Sequence, residues 1–500
     1  MRRLLIIGSV TGLLLCGGAV AAGAWLWNRA PIDTAGKIDF DTPLAVPPLA
    51  PSEIDADGRR VFDLTAAAGS HDFGRDRPTP TWGFNGGYLG PTLRAERGEQ
   101  VLVNVHNQLS EPTSVHWHGM ELPARMDGGP HQPVPADGTW SPTWQVDQPA
   151  ATLWYHPHPH GQTEKHVYRG LAGMFILDDA PSRELALPQE YGVDDFPVIV
   201  QDKKFTGDGQ LDDRPGFLSS IGLLGDEVAV NGTVGSYLDV TTERVRLRLL
   251  NASTARSYQF GFADGREFQV IGSDGGLLPE PRPANRVMLS PADRAEIVVT
   301  MAPGEQTVLR SFPPPLGAGP FGHFLGGDDT LDILQLRAAG ELAASPPVPE
   351  RLAEVPAPDL TEVVQTRSFR FSGTNINGEQ MDMDRIDVGV TAGTTEVWEV
   401  TNQGGQPHNF HMHGVQFQVV AVDGQEPLAD LRGWQDTIYL QPDARHEIAV
   451  RFDEHTDPDL PYMYHCHLLL HEDSGMMGQF VVLEPGQSPG SPDSTGHNHG

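Results

Sequence analysis

The sequence holds two cysteines, and only Cys466 lies outside the apolar N-terminal run. It sits between His465 and His467. Side chains on a strand alternate between faces, so on extended chain His465 and His467 share one face and Cys466 takes the other. A soft thiolate on one side and two imidazoles on the other suggest two metal centres joined by a few bonds. His471 and Met476 follow at offsets that let a loop fold back toward the thiolate. Two His, one Cys and a weak Met form the ligand set of a blue-copper electron-transfer site. Three further clusters offer imidazoles for the second centre: His116 and His118; His156, His158 and His160; His408, His411 and His413. One His-x-His is a weak signal that also arises by chance. Four clusters, paired between two related parts of the chain, leave little room for coincidence.

Four such clusters in this order, the last carrying the cysteine, resemble the multicopper oxidase family of laccases, bilirubin oxidases, ferroxidases and bacterial copper efflux oxidases. The likeness covers nearly all of the chain after the N-terminal run. It implies four copper ions: one blue type 1, one type 2 and a type 3 pair. It puts His408, Cys466 and His471 on the blue copper, with Met476 at the weak axial position. It puts His116 and His411 on the type 2 ion, and His118, His156, His158, His413, His465 and His467 on the type 3 pair. His160 falls outside the family's ligand positions and reads as a supporting or surface residue. His106, His131 and His166 read as ordinary surface residues.

The resemblance also implies the chemistry. A reductant gives single electrons to the blue copper, and Cys466 passes them along the backbone to His465 and His467. Dioxygen takes four electrons and four protons to give two waters. Glu472 and Asp127 match acidic residues that bacterial members place near the cluster, and Glu472 is expected to relay protons.

The elements that position these residues repeat. A strand from Val101 to Asn107 alternates apolar and polar residues and ends in Asn; Val245 to Asn251 and Glu396 to Asn402 repeat it, the Asn positions lying 144 and then 151 residues apart. Leu289 to Val299 and Leu440 to Val450 form a second pair at the same 151-residue offset. Leu171 to Leu177 follows the second histidine cluster as Met477 to Leu483 follows the fourth. The chain therefore reads as three all-β domains of about 150 residues, with Greek-key sandwich patterning and, by the resemblance, a cupredoxin-like fold. Their expected extents are 52–182, 188–343 and 359–485, after a Pro-rich linker over 30–51 and before a disordered tail over 486–500. The tail carries His497 and His499. The middle domain has His323 as its only histidine and reads as a spacer that sets the outer two face to face.

Composition bounds the rest. A formal charge of −32 repels phosphates and excludes nucleic acid as a partner. Gly 56 and Pro 43 suit a turn-rich β protein. Residues 1–29 read as an export signal, with an uncleaved membrane anchor as the alternative. Arg2-Arg3 partly resembles a twin-arginine signal, and Cys16 reads as a plain leader residue. The protein is expected to be a monomer, exported to the periplasm or cell surface.

The expected partners are dioxygen and a small-molecule reductant or reduced metal ion. The chain has 12 Met and no Met-rich insert, and Gly404 and Gln406 stand where copper efflux oxidases carry an acid and a Met. A broad laccase-type activity is thus favoured over a dedicated Cu(I) oxidase; Met381 and Met383 offer thioethers but read first as core packing. The rivals are a copper store without turnover and a structural protein like the family's cell-division relatives. Those relatives have lost copper ligands that are all present here. Two-domain nitrite reductases share the blue site but need no cluster of eight further histidines.

Overall fold

The computed structural model describes residues 27–492 apart from Asp76, Pro215, Phe217, Leu218 and Glu454. The leader read over 1–29 lies almost wholly outside the described residues, as do Cys16, His497, His499 and most of the tail. Among the described residues no helix is long and apolar enough to cross a membrane. Their strands form six sheets, and three large apolar clusters fill the spaces between them. Two sheets and one cluster fall to each sequence repeat.

The repeated strand shows why the pattern recurs. Along Gln100–Asn107 every second residue is buried, so Val101, Val103 and Val105 point into the first core. Arg244–Asn251 and Thr394–Asn402 are its counterparts. Each ends on a buried Asn whose amide ties main-chain carbonyls of later segments to the strand end. Asn107 Nδ2 donates to Glu111 O and Val134 O, Asn251 Nδ2 to Arg256 O and Leu289 O, and Asn402 Nδ2 to Gln406 O and Leu440 O. Buried main-chain carbonyls need such partners, which explains an Asn at all three positions.

The Pro-rich stretch read as a linker is pinned to the middle domain. Thr42–Pro43 adds a parallel edge strand to Ser236–Thr242, and Ile32 N donates to Asp329 Oδ1 at 2.7 Å. Proline lacks an amide donor, so an edge is where a sheet accepts it. The first and middle domains share a small apolar cluster that joins Trp154, Met174 and Ile176 to Ile199, Leu250 and Ala292.

Two short strand pairs set the site. His116–His118 runs antiparallel to Ala151–His156, which places His116 directly opposite His156. In the third domain His408–Met412 runs antiparallel to Tyr462–His465, which places His411 opposite His465.

Candidate metal centre

Eight histidines from these strands and the turns after them meet at the seam of the first and third domains, all essentially excluded from solvent. They sort by contact into two triads and a pair. His158 Nε2 and His413 Nε2 lie 3.2 and 3.1 Å from His465 Nε2. His118 Nδ1 and His467 Nε2 lie 3.4 and 3.3 Å from His156 Nε2. His116 Nε2 faces His411 Nε2 at 3.5 Å. Each group draws residues from both domains.

The strand ends at His465, yet the alternation expected of it continues through the next two residues. His465 and His467 stay on one side, ring centroids 5.4 Å apart. Cys466 Sγ points to the other, 3.6 Å from both His408 Nδ1 and His471 Nδ1, which are themselves 3.1 Å apart. His471 rides on the one-turn helix Leu469–Asp473. The chain then turns back: Met476 N donates to His471 O and Cys466 N to Met476 O, and Met476 is fully buried in the core that holds Cys466.

Burial fixes the protonation of these groups. It holds His118, His156, His158, His411, His413 and His467 well below the usual histidine range, and brings His408 and His465 down to about 3. All are neutral at physiological pH. Several have one ring nitrogen committed as a donor: His116 Nδ1 to Asp127 O, His411 Nδ1 to Asp436 O, His413 Nδ1 to Asp127 Oδ2, His156 Nδ1 to Pro157 O and His471 Nε2 to Ser220 O. The other nitrogen of each is then a lone pair, and these lone pairs point at one another. Converging lone pairs in a dry core repel unless a cation lies between them. Imidazoles with an outer hydrogen-bond partner are the usual metal-ligand arrangement, so the donor set fits metal ions of the copper type. Burial pushes the Cys466 thiol up to about 12; only a cation at Sγ makes it a thiolate there.

Two carboxylates singled out from the sequence reach the cluster. Asp127 supports His413 and His116 as described. Glu472 is buried, 3.5 Å from His158 Nε2 and 3.3 Å from His465 Nδ1. Burial, with Asp473 adding to it, holds its carboxyl well above the usual range.

Other residues gave no signal in the sequence. Asp436 Oδ1 accepts from His118 Nε2 at 3.0 Å. Asn409, inside the third cluster, accepts from His467 N. His160 is exposed, His106 and His131 are half-buried. His166, read as a surface residue, is fully buried on the helix Thr163–Tyr168 and bonds Glu111 and Thr113. The nitrogens of His323 are taken by Asp328 and Trp27 O.

Two family models described as multicopper oxidase match residues 66–182 and 354–486. A multicopper oxidase from Staphylococcus haemolyticus is 36% identical over 87% of this chain and 91% of its own. The cell division protein FtsP of Photorhabdus laumondii is 34% identical over 96% of this chain and 98% of its own. Among solved structures, a laccase from Pediococcus acidilactici aligns with a TM-score of 0.81 at 36% identity, covering 89% of this chain and 94% of that one. Fold, donor set and sequence agree: the chain belongs to the multicopper oxidase family.

Proposed function

We propose that the protein is a laccase-type oxidase that couples one-electron oxidation of phenolic or other aromatic compounds, or of metal ions, to reduction of dioxygen to water. One observation supports this reading: the ten histidines and the cysteine singled out from the sequence converge, buried, in two adjoining clusters. His408, Cys466, His471 and Met476 would hold one copper. His116 and His411 would hold a second. The triads His118/His156/His467 and His158/His413/His465 would hold a pair. When bound, these ions supply one-electron redox steps at the first site and four-electron dioxygen reduction at the others.

The chain's own part follows from the geometry. Cys466 is bonded directly to His465 and His467, so the two sites are a few covalent bonds apart. The dry core keeps water from competing for the donors. Glu472 holds a proton at its carboxyl oxygens beside His158 and His465, where dioxygen reduction consumes protons. The reductant is less constrained. Met381 and Met383 are half-buried in a loop tied to Gly475 by the Met381 amide, and a dedicated cuprous oxidase is the narrower alternative.

The FtsP likeness, which spans nearly the whole chain, favours a second reading: a non-catalytic periplasmic protein on the same fold. Oxygen uptake by copper-loaded protein, measured with a phenol, Fe(II) and Cu(I) in turn, separates the readings. Uptake with any of the three, abolished in Cys466→Ser, supports the oxidase. Copper bound at full stoichiometry with no uptake from any of them overturns it.

A further inference from the structure

The middle domain contributes no histidine to the cluster, but it contributes Arg294. This guanidinium is fully buried and has five N–H donors to satisfy. Nε donates to Thr152 O of the first domain at 3.0 Å. Nη1 donates to Ala292 O at 3.1 Å and Asp436 Oδ1 at 2.7 Å, and Nη2 to Asp274 O at 2.9 Å and Asp436 Oδ2 at 2.6 Å. All five are used, on all three domains, and the pair with Asp436 is a two-pronged fork. Charge-assisted forks of this kind fix orientation as well as charge.

Asp436 turns that fork toward the cluster. Its Oδ1 takes the Nε2 proton of His118, which leaves His118 Nδ1 free to face His156. Its main-chain carbonyl takes the Nδ1 proton of His411, which leaves Nε2 facing His116. One residue thus sets the tautomer of a histidine in a triad and of one in the pair. The residue after His118 is built for this contact. Gly119 has φ +86°, and a Cβ there would lie 2.5 Å from Asp436 Oδ2 and 2.7 Å from Arg294 Nη2. Only glycine lets the His118 strand pass this close to the ion pair.

We propose that Arg294 is a positioning residue for the eight-histidine cluster, acting through Asp436 to present His118 and His411 as ligands. The middle domain is then a working part of the site as well as a spacer. The proposal rests on the oxidase reading's assignment of copper to this cluster. Without the two-pronged fork the Asp436 carboxylate is no longer held in this orientation, and the His118 Nε2 proton loses its positioned acceptor.

The test measures copper per chain, blue absorption per chain and the electron paramagnetic resonance of the non-blue copper, in wild type, Arg294→Lys and Arg256→Lys. Lysine keeps the charge and loses the fork. Arg256 is an equally buried arginine paired with Asp202 and Asp329 inside the middle domain, so its variant reports generic loss of stability. Arg294→Lys should keep its blue absorption, lose at least half of the remaining copper and change the non-blue signal, while Arg256→Lys changes neither. The Arg294→Gln/Asp436→Asn variant removes both charges of the fork together and should show the same selective loss if Arg294→Lys does not fold. A full copper complement with an unchanged signal in either Arg294 variant, or the same loss in Arg256→Lys, overturns the proposal. Wild type without cluster copper would instead sink the oxidase reading itself.

Discussion

His116 Nε2 and His411 Nε2 face each other at 3.5 Å across the domain seam, each with its Nδ1 proton given to a main-chain carbonyl. Both facing atoms are therefore lone pairs, and without a cation the seam carries repulsion at its centre. Metal should behave as interdomain glue. A ligand that binds only the folded chain stabilises it by about 4 kcal/mol at a thousandfold excess over its Kd. Copper removal by a chelator should lower the melting temperature by roughly 5–10 °C or more, reversed by added copper. Calorimetry of the two forms checks this; equal melting temperatures would contradict a metal-bridged seam.

Asp127 holds two histidines of the cluster from opposite domains, His413 through Oδ2 at 2.8 Å and His116 through its carbonyl at 3.0 Å. Asp127→Asn keeps the size and the carbonyl contact but weakens the acceptor for His413. Such changes to a ligand's outer partner typically cost about 10–100-fold in metal affinity. Competition with a chromogenic chelator should show that loss for cluster copper and none for the blue site.

The fold and the clustering histidines are legible because each leaves a local mark. The Asn-terminated strands alternate at period two, and the histidines come in His-x-His pairs on strand ends. Asp436 and Arg294 leave no such mark. Asp436 stands in Trp434-Gln435-Asp436-Thr437, where nothing nearby distinguishes a buried carboxylate from a turn residue, and its partner lies 142 residues away. Arg294 falls in a repeat that aligns with Arg445 of the third domain, an arginine with a side chain 44% exposed. The repeat that revealed the domains therefore hid the difference between a surface arginine and one that spans three of them. The prolines of the stretch read as a linker fit an edge strand as well.

Glu472 lies 3.5 Å from His158 Nε2 and 3.3 Å from His465 Nδ1, and burial, with Asp473 beside it, holds its carboxyl well above the usual carboxylate range. Glu472→Gln preserves shape and removes the transferable proton. Copper content and blue absorption should be unchanged while turnover falls by roughly 100-fold, the lower end of what a positioned acid contributes. Single-turnover experiments should show normal reduction of the blue copper and slowed reoxidation by dioxygen. A variant with full turnover and full copper would remove Glu472 from the proton path.

His166 gives a pH dependence that is independent of copper. Burial, opposed by its bond to Glu111, brings it from 6.5 down to about 4. The unfolded chain takes up its proton below about 6.5, whereas the native chain resists until about 4. Stability from this residue is thus complete above pH 6.5 and is lost as pH falls through that window, by at most roughly 3 kcal/mol. His166→Gln can keep a hydrogen bond to Glu111 or Thr113 and does not titrate. Urea unfolding at pH 7 and pH 4.5 should therefore show a smaller loss in the variant than in wild type. The measurement belongs on metal-free protein, because bound copper would hide the slope behind its own release. A wild-type slope no steeper than the variant's would mean that the native chain accommodates a charged His166, against its full burial beside Trp82.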